Sequence, residues 1–269
     1  MFKNRNKPFL AGVVHLVPLP GSPRFAGSMS DITKRAVTDA TIYENAGFDA
    51  VIVENFGDLP FFPASVPPET VASLAVAARA VRENVKIPCG VNCLRNDGMA
   101  ALAIAAAAEL QFIRINVLSG AAIADQGIVT SDACNVLRSR ARLCPNVSIL
   151  ADVQVKHSVQ IADRPIEEEA KDLIERAMAD AVIVSGLRTG AAPDVALLQK
   201  VKLAIAHVPV FVGSGMTMEN AKELFQFADG AIVGTSLKAG GITTNVVDAE
   251  RAKRFVKLVK GSKWREVVK

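Results

Sequence analysis

Eight short apolar runs, each rich in Val and Ile, alternate with longer segments of helical periodicity along this 269-residue chain. Such runs are typical of buried strands, and the amphipathic or Ala-rich segments between them are typical of helices. The predicted strands cover residues 9–17, 48–54, 88–94, 111–117, 147–156, 180–185, 208–214 and 229–235. Strands that alternate with helices pair in parallel, because each return needs a crossover. Eight such units predict a closed (β/α)8 barrel.

The composition agrees with one soluble α/β domain. Half of the residues are hydrophobic and 22% are charged, which suits a large buried core. No linker or break in composition divides the chain, so we expect residues 1–269 to form a single barrel domain. The net charge of +4 is mild and the basic residues are scattered, which argues against a nucleic-acid partner. No apolar run reaches ~18 residues, so no membrane span is expected.

The cysteines and the N-terminus bear on the compartment. Cys89, Cys93, Cys134 and Cys144 show no CxxC spacing, which favours reduced thiols in a cytoplasmic protein. The apolar stretch after the basic residues 1–8 is too short and too interrupted for a signal peptide.

Polar side chains are predicted in the lumen, at the carboxyl ends of several strands. Side chains of a barrel strand alternate between the lumen and the helix layer, and the outward ones are apolar. Val153 and Val155 therefore point outward, which places Asp152, Gln154 and Lys156 in the lumen. The same alternation predicts inward positions for His15, Glu54, Asn92, Arg114 and Asn116.

These groups are costly in a lumen unless they are paired or used, and they fall where barrel active sites are built. We predict catalytic roles for His15, Glu54, Asp152 and Lys156. Predicted substrate-binding residues are Asn92, Arg114, Asn116, Gln154, His157 and Ser185. In the alternative interpretation, Arg114 neutralises Asp152 or Glu54 in a buried structural network. His207 precedes the seventh strand and is expected to be structural.

Two further roles stay open for these side chains. Lys156 suits either a Schiff-base amine or a counter-ion for phosphate or carboxylate. Imidazole and carboxylate groups together also suit a divalent metal, with His15, Glu54, Asp152 and His157 as candidate ligands. No HxH or HExxH spacing supports that metal site.

Glycine-rich turns end the last two predicted strands. They comprise Gly213, Ser214 and Gly215 after strand seven, and Gly234, Thr235 and Ser236 after strand eight. Turns at these places hold phosphate in many barrels, and backbone N–H groups at the start of residues 216–227 and 236–240 would face the anion. Lys238 would add charge. FMN, through its phosphate, is a second possible ligand, and a tight turn alone also explains the glycines.

Long loops follow three of the predicted strands, at residues 18–27, 55–67 and 119–128. Loops of this length are commonly lids or binding surfaces. Phe56, Phe61 and Phe62 in the second loop indicate either a hydrophobic lid or a contact with another subunit, so a homo-oligomer is one expectation.

Several motifs resemble those of the BtpA family over nearly the whole length. They are Val14-His15 with residues 18–23, residues 53–58, 90–92, 94–97 and 112–116, Asp125-Gln126-Gly127, residues 151–153 with Lys156-His157, residues 184–186 with Thr189-Gly190, and both glycine turns. The family takes its name from a photosystem I biogenesis factor and has members associated with sugar-uptake gene clusters. The resemblance implies a TIM-like barrel without a settled activity.

Two functions follow from these observations. The first is an enzyme that acts on a small phosphorylated metabolite, a sugar phosphate or a nucleotide, by isomerisation, epimerisation or aldol cleavage. The second is a non-catalytic assembly or stability factor, as the family name suggests. The inward polar set favours the enzyme, because a scaffold gains nothing from it.

Overall fold

A computed structural model describes residue 2, residues 7–262 and residue 264 of the protein. Its strands are β1 (Phe9–His15), β2 (Ala50–Glu54), β3 (Cys89–Asn92), β4 (Phe112–Ile115), β5 (Ala121–Ala124), β6 (Gly127–Thr130), β7 (Ser148–Val153), β8 (Ser158–Gln160), β9 (Ala181–Val184), β10 (Val210–Val212) and β11 (Gly230–Val233). Its α-helices are α1 (Met29–Ala46), α2 (Pro68–Asn84), α3 (Gly98–Ala108), α4 (Ala133–Leu143), α5 (Ile166–Glu175), α6 (Val195–Ala204), α7 (Ala221–Leu224) and α8 (Ala249–Gly261).

Eight of these strands close into a parallel barrel, in the order β1, β2, β3, β4, β7, β9, β10, β11 and back to β1. Each lies inside one of the eight apolar runs, so the predicted (β/α)8 fold is confirmed. The helices start where local chemistry favours them. Pro68 stands at the first position of α2, where its missing N–H costs nothing, and the Asp194 carboxylate caps α6 by accepting from the Ala196 N–H.

The alternation of side chains gives the barrel two apolar layers. In β9, Val182 and Val184 pack among the residues under the helices, whereas Ile183 belongs to the lumen cluster. Phe2 closes the amino end of the lumen, with its ring 5.0 to 6.0 Å from the rings of Phe9, Phe112 and Phe211. The amino end of the lumen is therefore apolar, and the polar side chains of the lumen lie at its carboxyl end.

A small antiparallel sheet stands beside that carboxyl end, where the sequence predicted only a long loop over residues 119–128. Its strand order is β6-β5-β8. A two-residue turn, Asp125-Gln126, joins β5 to β6, and Gly127 supplies the positive φ of 96° that follows it. The inner face, with Val129, covers Val117 and Val155 of the barrel rim. The sheet thereby holds its β5–β6 turn, with Asp125, at the carboxyl end of the barrel.

The segment after β10 also differs from expectation. The segment 216–227, whose first N–H groups are expected to face an anion, contains only the short helix α7, and Asn220 ties the residues before it into a turn. Its side chain accepts from the Thr217 N–H and donates to the Gly215 carbonyl, each at 2.8 Å. In the described part of the chain, no helix has the length and apolar character needed to cross a membrane.

Candidate functional site

Two adjoining cavities open at the carboxyl ends of the barrel strands. The larger, of about 540 Å³, has a polar side and an apolar wall of Phe56, Leu59, Phe61 and Leu94. The smaller, of about 160 Å³, is bounded by the turns after β10 and β11. Four residues line both cavities: Glu54, Arg114, Lys156 and Thr189. A ligand that spans the cavities would therefore have its middle against these residues.

Arg114 in β4 organises a buried charge network at this junction. Its Nε donates to Asp152 Oδ2 and its Nη2 donates to Asp152 Oδ1, each at 2.8 Å. Its Nη1 lies 3.4 Å from Glu54 Oε1. Burial alone lowers the pKa of Arg114, but the charge and hydrogen bonds of Asp152, and then the charge of Glu54, raise it overall. The guanidinium is thus a fixed cation beneath both cavities.

Asp152, at the end of β7, is occupied by donors. Besides the two bonds from Arg114, it accepts from Asn116 Nδ2 at 3.1 Å and from Ser185 Oγ at 3.2 Å. Four donors leave this carboxylate little capacity to accept a proton from a ligand. The geometry therefore matches the buried-network interpretation for Asp152, with Asn116 and Ser185 as further members.

Glu54, at the end of β2, is only half engaged. Its Oε1 accepts from Asn92 Nδ2 at 3.2 Å and faces Arg114. Its Oε2 lies 3.9 Å from His15 Nε2 and accepts no hydrogen bond from the part of the chain that the structure describes. One carboxylate oxygen is held in place, and the other is available to a ligand.

Lys156 follows β7 and lines both cavities. Its main-chain carbonyl accepts from Arg95 Nη2, but its Nζ has no hydrogen-bond partner among the described residues. Burial, and then the charge of Arg114, lower the pKa of Lys156 to about 8. The side chain is therefore still mostly charged at neutral pH and loses its proton readily.

The two predicted site histidines are both neutral in this setting. Burial, and then the charges of Lys238 and Lys156, lower the pKa of His15 well below its usual value. The His15 ring lies 4.7 Å from the ring of Phe56. His157 Nε2 accepts from the Thr189 N–H at 3.0 Å, and burial followed by the charge of Lys156 lowers its pKa. Neither histidine is a ready source of protons near pH 7.

Four buried polar atoms of residues that line the cavities have no hydrogen-bond partner among the described residues: His15 Nδ1, Asn92 Oδ1, Arg95 Nε and Asn116 Oδ1. Buried polar atoms are almost always hydrogen-bonded, so an unpaired group calls for a partner such as a ligand or an ordered water. Two of these residues lie beside Glu54, because His15 Nε2 is 3.9 Å from Glu54 Oε2 and Asn92 Nδ2 donates to Glu54 Oε1.

The glycine turns form the floor of the smaller cavity. Gly215 has a φ of +70°, and a Cβ there would lie 2.1 Å from the Ala191 carbonyl carbon. A Cβ on Gly234 would lie 2.6 Å from His15 Cε1. Gly215 is thus required by packing against backbone, whereas a side chain at Gly234 would require the His15 ring to move. The N–H groups of Gly215, Thr235 and Ser236 donate to no described residue, the last two because they begin a 3₁₀ turn, Thr235–Leu237.

The hydroxyl groups of these turns are mostly used within the protein. Ser214 Oγ accepts from the Gly190 N–H at 3.0 Å, and Ser236 Oγ donates to the Met216 carbonyl at 2.7 Å. Thr235 Oγ1 lies 3.0 Å from Thr243 Oγ1. An anion in this cavity would therefore be bound chiefly by backbone N–H groups and by the nearby cations.

Lys238 does not line the smaller cavity, contrary to the expectation from the sequence, although its charge acts on His15 there. It is fully buried, and its Nζ donates to Asp39 Oδ2 of α1 at 2.7 Å. Asp39 needs that partner because it is itself 1% exposed. Among the described residues that line this cavity, the cationic side chains are Arg114 and Lys156.

Gln154 is not in the lumen, and that part of the prediction is wrong. The strand ends at Val153, and Gln154 has a φ of +51°, so the alternation no longer applies. Its Nε2 donates to Glu169 of α5 at 3.1 Å. His207 lies exposed before β10, at the opposite end of the barrel from the cavities.

The four candidate metal ligands do not form a ligand set. In the described residues, no group of three or more His, Cys, Asp or Glu side chains is placed to hold a metal ion. Arg114 lies between Glu54 and Asp152, so a cation already occupies the space between the carboxylates. His157 is bound to Thr189 on the rim.

Several cavity residues lie outside the strand pattern and were not predicted as site residues. Arg95, Asp125 and Thr189 come from loops, where alternation gives no information. Each belongs to a segment that carries the family resemblance, and that resemblance is the sequence signal that could have identified them. In the segment 53–58, Asn55 and Asp58 are structural, because Asp58 accepts from the Leu19 N–H and Asn55 from the Leu94 N–H. They tie three loops of the mouth together.

Comparison with known proteins gives the same fold. An uncharacterized protein of Thermococcus kodakarensis is 50% identical over 251 residues, which are 93% of this chain and 95% of that protein. The photosystem I biogenesis protein BtpA of Synechocystis is 40% identical, covering 91% of this chain and 85% of its own. The solved N-(5'-phosphoribosyl)anthranilate isomerase of Pyrococcus furiosus is 17% identical with a TM-score of 0.60, covering 95% and 100% of the two chains.

The family resemblance is confirmed at the level of the whole sequence. The BtpA family profile matches residues 5–261, a range that includes all eight barrel strands and both cavities. Several residues of the motifs that carried the resemblance line those cavities, among them Glu54, Arg114 and Thr189. This chain belongs to the BtpA family.

Proposed function

We propose that the protein is an enzyme that binds a small phosphorylated metabolite across the two cavities and moves a proton on its sugar part. Isomerisation, epimerisation and aldol cleavage are the reactions that such proton transfer serves. The observation that carries the proposal is that Glu54, Arg114 and Lys156 line both cavities. An acid–base pair and a fixed cation therefore meet at the point where a spanning ligand would react.

The smaller cavity is the proposed phosphate site. The N–H groups of Gly215, Thr235 and Ser236, which donate to no described residue, offer donors to an anion, and Arg114 and Lys156 offer positive charge. The turns after the last two strands are also where barrels commonly bind phosphate. The fold relative from P. furiosus is named for a phosphoribosyl substrate, which is consistent with this site.

In the proposed mechanism, the free Oε2 of Glu54 takes a proton from the ligand and returns it. Arg114 and Lys156 stabilise the negative charge that develops on the neighbouring oxygen, and Lys156 also donates a proton there. Asp152 acts as a positioning residue, because its two bonds fix the guanidinium plane. Asn92 orients Glu54 through its bond to Oε1.

Two measurements test the proposal on protein purified without phosphate. Calorimetry with glyceraldehyde 3-phosphate and ribose 5-phosphate should detect binding, and NMR in D2O should detect exchange of a sugar hydrogen. Glu54→Gln should abolish the exchange and retain binding. Glu83→Gln, on the exposed surface of α2, is the matched control and should keep both. Absence of binding by every sugar phosphate tested would contradict the proposal.

A second candidate is a non-catalytic assembly factor, and one surface favours it. Ile123, Ile128 and Val159 lie side by side across β5, β6 and β8, and each is about half exposed or more. Such an apolar row is a usual contact surface for another protein. Ile128→Lys would then disrupt a complex without changing ligand binding, whereas Glu54→Gln would leave the complex intact.

A further inference from the structure

We infer that the ligand of this site is a ribose 5-phosphate that carries a planar aromatic or heterocyclic group, held against the apolar wall of the larger cavity. This inference rests on the proposed function and narrows it, since a bare sugar phosphate and a nucleotide are both small phosphorylated metabolites. Three observations carry it: the division of space, the chemistry of the wall, and an unpaired acceptor on a polar residue that lines the same cavity.

The space exceeds what a sugar phosphate needs. The phosphate takes the cavity of about 160 Å³, and the four residues shared by both cavities face the sugar. The larger cavity, of about 540 Å³, then remains mostly unfilled. Its volume is in the range of about 300–1,000 Å³ that is usual for pockets binding drug-sized ligands. A further group attached to the sugar would occupy it.

The wall of this cavity is suited to a flat ring. Phe56, Leu59, Phe61 and Leu94 form one side, and the Phe56 ring is fixed by its contact with His15. Aromatic faces stack on planar rings, and the free energy gained does not depend strongly on which ring is bound. Sugar hydroxyls would instead lose their water against this wall without gaining hydrogen bonds.

The polar lining of the larger cavity can recognise the edge of such a ring. Asn116 lines the larger cavity, and its Oδ1 is buried without a hydrogen-bond partner among the described residues, because its Nδ2 is committed to Asp152. A carbonyl oxygen accepts only from a donor, and an N–H on the edge of a heterocycle supplies one. Arg95 and His157 line the same cavity. A nucleobase offers the flat face and the N–H edge together.

The test compares ligands that differ only in the added group. Calorimetry measures ribose 5-phosphate against the four ribonucleoside 5'-monophosphates, in buffer without phosphate. At least one nucleotide should bind about ten-fold more tightly than ribose 5-phosphate, as stacking of one base predicts. Phe61→Ala should remove that advantage, and Phe61→Leu, which keeps the bulk without the aromatic face, should reduce it. Phe62→Ala is the matched control, because Phe62 is 52% exposed and does not line the cavity.

The possible results of this calorimetry distinguish a failure of the inference from a failure of the proposed function. Ribose 5-phosphate that binds as tightly as every nucleotide would overturn this inference and leave the proposed function standing. A nucleotide advantage that survives in folded Phe61→Ala and Phe61→Leu protein would also overturn it, because the apolar wall would then not be the binding surface. Failure of every phosphorylated ligand to bind would instead contradict the proposed function itself.

Discussion

Arg114 and Asp152, on the neighbouring strands β4 and β7, form a two-pronged ion pair with both hydrogen bonds at 2.8 Å and both side chains buried. The pair fixes the plane of the guanidinium, and this leaves Nη1 directed at Glu54. Removing either partner would leave an uncompensated charge in the lumen. The network is therefore part of the stability of the barrel as well as part of the candidate site.

Replacing Arg114 with Met should destabilise the fold by about 3–5 kcal/mol, because Asp152 then stays buried without its partner. Chemical denaturation measures the loss. Arg79→Met is the control, since Arg79 pairs with Glu83 on the surface and should cost at most about 1 kcal/mol. Adding Asp152→Asn to the Arg114→Met protein should cost much less than Asp152→Asn alone. Equal costs would show that the two residues are not coupled.

Affinity for a sugar phosphate should fall as the pH rises through about 8, because the Lys156 ammonium loses its proton there. The sign follows from the lowered pKa: the cation is present below about 8 and lost above it. The phosphate itself is already fully ionised in this range, since its second pKa is about 6. Lys156→Arg should remove the fall, because arginine stays charged. A fall that persists in Lys156→Arg protein would assign it to another group.

Gly215 should tolerate a side chain less well than Gly120, although the two have nearly the same φ, +70° and +72°. Ala at Gly120 meets nothing within 4 Å and should cost only the left-handed backbone strain, about 1–2 kcal/mol. Ala at Gly215 adds the clash with Ala191 and should cost about 1–3 kcal/mol more. Urea denaturation of both variants measures the difference. Equal losses would mean that the Ala191 loop moves aside freely.

Lys238→Met should destabilise the protein without changing its affinity for phosphorylated ligands. The buried Asp39 loses its cation, which costs about 3–5 kcal/mol. Phosphate affinity should stay the same because Lys238 Nζ faces α1 and not the smaller cavity. Calorimetry compares the affinity of Lys238→Met protein for ribose 5-phosphate with that of Lys156→Met protein, which should bind it more weakly. Weaker binding by Lys238→Met protein would show that Lys238 reaches the anion after all.

The strands and most inward residues were predictable because alternation is forced inside a closed sheet. Glu54, Asn92, Arg114 and Asp152 lie where the alternation places them. The rule fails one residue beyond a strand, as Gln154 shows. It also says nothing of loops, and so Arg95 was missed although it lines the larger cavity.

Side-chain pairing was harder to foresee than side-chain direction. The sequence predicts Lys238 at the phosphate turns, but its ammonium group pairs with Asp39 instead. Asp39 lies 199 residues earlier in the chain, so sequence spacing gives no indication of this ion pair. The small β6-β5-β8 sheet was hidden in the same way, because its strands have three or four residues and include Ala, Gly and Gln. Such elements form only because Val117 and Val155 of the barrel rim offer them a surface.

The Phe2 ring beneath Phe9, Phe112 and Phe211 has a consequence for how molecules exchange at the site. The described residues fill the lumen with packed aromatic rings at that end, so a molecule that enters the cavities from the mouth would also leave by the mouth. Ligand entry and ligand release then use the same opening, and a bound molecule must dissociate before the next one can bind. Occupancy of the site is therefore strictly sequential, and any product formed there competes with its own precursor for entry.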